Sequence, residues 1–298
     1  MGKMLYLETT SGISGDMVVA ALLDAGASER AVRDALASLP VDGFEARVSR
    51  VIKSGLDVCD FDVVLDAAHE NHDHDMAYLH GHDHTDAVGR GAEGSSRDHV
   101  HAHGHTHAQG HDHDHAHGHD HAHEHRGMAE IEAILAAATL TDGARALARR
   151  AFAIIAEAEA AAHGLPVDQV HFHEVGAVDS IADIVAAAVA FDDLASQGVS
   201  DVVVTELCDG RGTVRCQHGI IPVPAPAVVN IARASGIPLR VGIADGELVT
   251  PTGAALAAAA RTRGELPERF SVLAVGMGAG KRAYDTPGFL RALVIEGE

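Results

Sequence analysis

The chain has 298 residues, 47% of them apolar, with no Trp and seven Phe. That length suits one large domain or two small ones, with an Ala- and Val-rich core of closely approached elements rather than bulky aromatic centres. A formal charge of −21 with histidine neutral argues against nucleic acid as a partner, because a phosphate polymer would be repelled, and favours cations.

The elements follow in chain order. MLYLET (4–9) alternates apolar side chains and predicts a buried strand. SGISGD then reads as a turn into the helix MVVAALLDAGA, with Gly26 near its end. A second helix, ERAVRDALASL, stops at Pro40. FEARVSRVIKSG and LDVCDFDVVLD alternate with period two and predict a hairpin around Ser54-Gly55. From 67 to 126 the chain is His, Asp, Gly and Ala with almost no large apolar residues, so it is expected to be disordered without metal. Helices resume in MAEIEAILAAATL and ARALARRAFAIIAEAEAAAHG. A short extended HFHEV, a helix over 178–196 and a strand DVVVTEL (201–207) come next. GTVRCQHG reads as a strand, and VPAPAVVNIARAS and TPTGAALAAAARTRG as proline-started helices. FSVLAVGMG and FLRALVIEG close the chain as strands. Strands and helices mix without a regular βαβ repeat, which predicts an α+β fold. The pattern is of one kind on either side of the gap. Residues 1–66 and 127–298 are therefore expected to form one core domain, with 67–126 as a long loop insertion.

Cys59, Cys208 and Cys216 supply no disulfide framework and fit a reducing compartment. The first residues, MGKMLYLETT, carry no signal-peptide core, and no apolar run is long enough to span a bilayer. A cytoplasmic protein without membrane contact is expected.

Six segments carry candidate chemistry. Nineteen of the 23 histidines lie between 69 and 125, most densely in HAHGHTHAQGHDHDHAHGHDHAHEH (101–125). Neutral imidazoles on a flexible chain capture Ni, Zn, Cu or Co in many geometries, but a flexible tract does not fix a catalytic one; otherwise it is a solvated spacer. In HFHEVGAVDSIADIV (171–185), His171 and His173 share a face of an extended segment beside Glu174, and Asp179 and Asp183 are one helical turn apart. Imidazoles with convergent carboxylates suit a divalent metal; the alternative is a helix-capping Asp179 with ordinary polar histidines. In SGISGDM (11–17), Ser14 and the following N–H groups suit an anion. Asp16 there would repel a bare phosphate unless a metal stands between, and the alternative is a plain Ser cap with a helix-start carboxylate. GTVRCQHGIIPVPAP places Cys216 and His218 on one strand face, a pair soft enough for nickel or zinc. ELVTPTGAAL gives Thr250 as cap, Pro251 and Thr252 in the first turn, and Gly253 where backbone can approach a ligand, or simply a helix start. GMGAGKR combines glycines with Lys281 and Arg282 as a weak phosphate signal.

Together and in this order, YLETTSGISGDM, the His-rich insert, HFHEVGAVDSIADIV, GTVRCQHGIIPVPAP, ELVTPTGAAL and GMGAGKRAYDTPGFLR resemble the LarC family of nickel-insertion proteins over nearly the whole chain. The resemblance implies the last step in making the nickel-pincer nucleotide cofactor of lactate racemase. Nickel enters a pyridinium bisthiocarboxylic acid mononucleotide through two Ni–S bonds and one Ni–C bond. CTP is consumed with Mn²⁺ or Mg²⁺, and CMP is released. Forming the Ni–C bond removes a ring proton, so a base is expected beside the nickel. His171, His173 and Glu174 are the catalytic candidates. His171, His173, His218, Cys216, Asp16, Asp179 and Asp183 are the metal candidates. Ser14, Thr250, Thr252 and Gly253 are the candidates for the ribose phosphate.

Two departures stand beside the resemblance. The family's C-terminal CTP-binding domain is not found before Glu298, so either a separate chain is an expected partner or the gene product is truncated; the apo racemase and further copies of this chain are the other expected partners. Val228 and Gly288 stand where a Thr-Leu-rich segment and an Asn are usual. Two other readings compete: a nickel-storage or delivery metallochaperone without chemistry of its own, and a nucleotide-binding partner whose metal tract is incidental.

Overall fold

The computed structural model of the chain describes residues 2–66, 79, 126–170, 172, 177–216 and 218–297. β1 (Lys3–Glu8) leads into α1 (Gly15–Asp24) and α2 (Glu29–Ala37), then into the hairpin β2 (Phe44–Lys53) and β3 (Leu56–Leu65). Ser54 and Gly55 both have positive φ, 50° and 80°; a two-residue turn of that hand matches the twist of its strands. α3 (Met128–Ala137), α4 (Asp142–His163) and α5 (Val178–Ser196) follow, then β4 (Val199–Val203), β5 (Leu207–Arg211), β6 (Thr213–Cys216) and β7 (Gly219–Pro222). The chain continues through α6 (Pro226–Ser235), β8 (Leu239–Asp245), α7 (Pro251–Ala260), β9 (Phe270–Ala279) and β10 (Phe289–Gly297).

Six strands form the main sheet in the order β2-β3-β9-β10-β1-β4. Its pairings are mixed: β1 runs antiparallel to β10 and parallel to β4, and β3 meets β9 in parallel at Cys59 and Gly278. The fold is α+β, as the irregular alternation of elements predicts. Two glycines set how α1 lies on this sheet. A Cβ at Gly276 would stand 2.0 Å from the Ala21 carbonyl oxygen, and one at Gly278 would stand 2.1 Å from that of Met17. Backbone therefore packs on backbone, and the start of α1 is pinned above the end of β9. α5 is the central helix, buried from Ile181 through Phe191 apart from Asp183, and packed against α1, α2 and α4. Its alanines permit that close approach on several sides. No helix among the described residues is long and apolar enough to cross a membrane.

The sequence-based expectations fail in two places. DVVVTEL is two strands in two sheets: β4 ends on the edge of the main sheet at Val203, Val204 donates to the Arg263 carbonyl, and β5 pairs in parallel with β8. GTVRCQHG is no single strand: β6 turns back into β7, Cys216 opposing Gly219, so His218 sits in the connection. At the edge of the expected insertion, Arg126 bridges Phe172. Within that same stretch Leu79 is buried against Val214, Val223 and Ile221.

Candidate functional site

The loops before α1 and α7 are laced together. The Ile13 amide donates to the Leu248 carbonyl at 2.9 Å, and the Thr250 amide donates to the Ile13 carbonyl at 3.1 Å. Gly12 adopts φ 91° there, and a Cβ would fall 2.2 Å from the Leu248 oxygen. Gly253 works in the same way: its Cβ would meet the Ile13 oxygen at 2.3 Å and the Ser14 Cα at 2.8 Å. Gly253 thus faces neighbouring backbone and is not among the residues lining the cavity beside it. Thr250 caps α7, its Oγ1 accepting from the Gly253 amide at 3.1 Å.

The cavity has a volume of about 310 Å³. The first residues of four helices border it: Ser14 to Met17 of α1, Asp179 and Ser180 of α5, Pro226 and Ala227 of α6, and Thr250 to Thr252 at α7. Helix starts carry unsatisfied N–H groups and a positive dipole end, so four together favour anionic ligand groups.

One side of the cavity is acidic. Asp16 is buried; its Oδ1 accepts from the Met17 amide at 2.8 Å and from the Ser14 hydroxyl. Asp183 stands against it, because Gly15 has no side chain to keep the carboxylate away: a Cβ there would lie 2.4 Å from Asp183 Oδ2. Burial, with Asp16 and Asp179 nearby, holds the Asp183 carboxyl well above the usual carboxylate range. Its Oδ1 is buried without a hydrogen-bond partner among the described residues. An oxygen-rich corner with an orphaned acceptor fits a hard divalent cation.

The other side carries softer donors. Cys216 Sγ and His218 Nδ1 are 3.7 Å apart. They meet His163 and Glu159 of α4, two residues that no sequence motif marks. The His163 and His218 ring centres are 4.9 Å apart, and His163 Nε2 is 3.5 Å from Glu159 Oε2. Burial raises the Glu159 carboxyl, against the pull of the two imidazoles. One signal was available: only His163, His171, His173 and His218 lie outside the histidine-rich stretch 69–125. Cys216 is half-buried whereas Cys59 and Cys208 are buried, and burial pushes the Cys59 thiol up to about 11. Among the described residues, no three His, Cys, Asp or Glu side chains already surround a point that could hold an ion.

The expected phosphate cations line the cavity but are each paired with carboxylates. Lys281 Nζ lies 2.7 Å from Asp60 and 3.4 Å from Asp62, and Arg282 pairs with Glu247. Burial opposes the Lys281 charge, but Asp60 and Asp62 outweigh it and raise its pKa. A second carboxylate that sequence reasoning missed is Asp209, fully buried on β5. Its Oδ1 accepts from the Gly210, Leu248 and Val249 amides at 2.7, 2.9 and 3.1 Å, which holds the loop that delivers Thr250. Of the other candidates, Thr252 is buried in the first turn of α7. His171, His173, Glu174 and the histidine tract lie outside the described residues. Phe172 between the two histidines is buried against Phe152 of α4, ring centres 6.4 Å apart.

A family model described as nickel insertion protein matches residues 5–298. A pyridinium-3,5-bisthiocarboxylic acid mononucleotide nickel insertion protein of Alkaliphilus metalliredigens (strain QYMF) is 42% identical over 297 residues, which are 99% of this chain and 61% of that protein. One of the same name from Geobacillus kaustophilus (strain HTA426) is 35% identical over 296 residues, 99% of this chain and 60% of that protein. The chain thus spans about three fifths of the length of the curated relatives it matches. No solved structure matches.

Proposed function

The chain belongs to the nickel insertion protein family, and on that premise we propose that its cavity binds a pyridinium bisthiocarboxylic acid mononucleotide and receives nickel into it. The observation that carries this reading is the division of one cavity into an oxygen-donor side and a sulfur-and-imidazole side, set among four helix starts. The nucleotide's phosphate is the anion that those helix starts favour, with Ser14, Thr250 and Thr252 beside it. Nickel is the substrate ion, and Cys216 and His218 are its soft partners. His171, His173 and Glu174 are assigned to nickel transfer and to the base that removes the ring proton. Nickel stays divalent through that exchange: the ring C–H bond breaks, its electron pair forms the Ni–C bond, and the proton passes to the base.

Asp16, Asp179 and Asp183 would hold the divalent ion that accompanies CTP. Such an ion, when bound, neutralises phosphate charge. Three carboxylates on the chain's own residues keep that site attractive to a cation while the helix starts hold the phosphate. The histidine tract supplies nickel by raising its local concentration.

The test is one assay. The chain is mixed with precursor nucleotide, Ni²⁺, Mn²⁺ and CTP, with and without a separately expressed C-terminal domain of a relative, and metallated product is followed by mass. Product is expected and is abolished in the His171→Ala/His173→Ala double variant, while deletion of 99–125 lowers yield only at scarce nickel. Full yield in the double variant would overturn the catalytic assignment. Several weakly held nickel ions lost with the tract, and no product under any condition, would favour the storage reading.

A further inference from the structure

We propose that His163 is a nickel ligand, completing with Cys216 and His218 a two-nitrogen, one-sulfur set on the cavity wall, and that Glu159 orients it. The inference rests on the nickel-insertion reading above and adds two residues from α4 to it.

Three distances support the set. Metal–sulfur and metal–nitrogen bonds of about 2.3 and about 2.0 Å place two donors on one tetrahedral ion about 3.5 Å apart. Cys216 Sγ and His218 Nδ1 stand at 3.7 Å. Imidazoles with ring centres 4.9 Å apart are within reach of one ion at bonds of about 2.0 Å. Ligating histidines commonly give their second ring nitrogen to a carboxylate, which fixes tautomer and orientation. Glu159 stands 3.5 Å from His163 Nε2, so Nε2 carries the orienting contact and Nδ1 is the nitrogen assigned to the metal.

The place in the fold suits capture and release. His163 is the last residue of α4, and Gly164 ends the helix in the left-handed region at φ 66°. Its side chain is 30% exposed and that of Glu159 19%, so the ligand is at the rim and its orienting group is deeper. Gathering the three donors takes rotation of side chains at partly exposed positions, a fast motion that leaves the backbone in place. Three protein donors leave further positions on the ion for the nucleotide's sulfurs. The set can therefore hand nickel over without first losing it to water.

The experiment uses the full chain and Ni²⁺ alone, with free nickel set by a chelator buffer, and follows thiolate-to-nickel absorption in the near ultraviolet. The histidine tract has no sulfur and is silent in this signal. A saturable band is expected, absent in Cys216→Ser. Its midpoint should move at least tenfold to higher free nickel in His163→Ala and about tenfold in Glu159→Gln. His163→Cys should strengthen the band by adding a second thiolate. It also decides the matter if His163→Ala loses the wild-type circular dichroism spectrum. No band in the wild type, an unchanged midpoint in folded His163→Ala, or an unchanged band in His163→Cys would overturn the ligand assignment. A normal band with no metallated product would instead overturn the insertion reading and leave the ligand set standing.

Discussion

Asp209 makes a measurable demand on the pH dependence of stability. It is fully buried, and burial pushes its carboxyl from 3.8 up to about 6 despite three amides donating to Oδ1. The native state therefore binds this proton more tightly than the unfolded chain does. Stability from this group is greatest below pH 3.8 and is lost as the pH rises to about 6. At about 1.36 kcal/mol per pH unit, the loss is about 3 kcal/mol. Asp209→Asn keeps the acceptor oxygen for the Gly210, Leu248 and Val249 amides and removes the titration. Urea unfolding of both proteins at about pH 4 and about pH 7.5 gives the difference between them at each pH. That difference should move in the variant's favour by about 2.4 kcal/mol between the two conditions, because the unfolded carboxyl is already more than half ionised at the lower pH. The many histidines titrate in the same window, but they are common to both proteins and cancel. A difference flat with pH, or one that moves against the variant, would refute the assignment of a buried charge at this position.

Further outcomes follow from the close contacts and the acidic corner. Gly253→Ala and Gly278→Ala each force a methyl into backbone at 2.3 and 2.1 Å, and thermal unfolding should show losses of about 1–3 kcal/mol. Gly253→Ala should also lower product yield, since the atoms displaced belong to Ile13 and Ser14. Asp183→Asn removes a buried carboxyl that is costly to ionise beside Asp16 and Asp179, so in alkaline buffer the metal-free protein should gain about 0.5–2 kcal/mol. The same change should abolish the rise in melting temperature that Mn²⁺ gives the wild type.

What the sequence discloses is local, and what it hides depends on packing. The hairpin over 44–65, the two proline-started helices and the closing strands follow from period, turn residues and N1 prolines, all of which act within a few residues. The break inside DVVVTEL has no such marker: β4 ends because Val204 finds the Arg263 carbonyl, some sixty residues away in sequence. The strand β8 escaped notice because LRVGIAD has a glycine at its centre and pairs only with β5. In GMGAGKR the glycines suggest a phosphate loop, yet Gly276 and Gly278 are spaced by two because alternate residues of β9 must admit the backbone of α1. Lys281 and Arg282 look available in a linear reading and are paired once Asp60 and Glu247 are brought to them.

Glu159 and His163 show why the site itself was only half visible. On a helix, a Glu and a His four residues apart are the ordinary dress of a solvated face, and nothing in AEAEAAAHG separates them from one. Their meaning comes from α4 packing on α6 and α7, which brings the helix end to the Cys216–His218 turn. Asp183 carries the converse lesson. Its spacing from Asp179 gives one helix face in the sequence, but only the missing side chain at Gly15 lets it approach Asp16. A residue with no functional group therefore sets the acidic corner as firmly as the carboxylates do. Substituting Gly15 should disturb the hard-donor side and leave the sulfur-and-imidazole side intact, because the two sides share a cavity without sharing a residue.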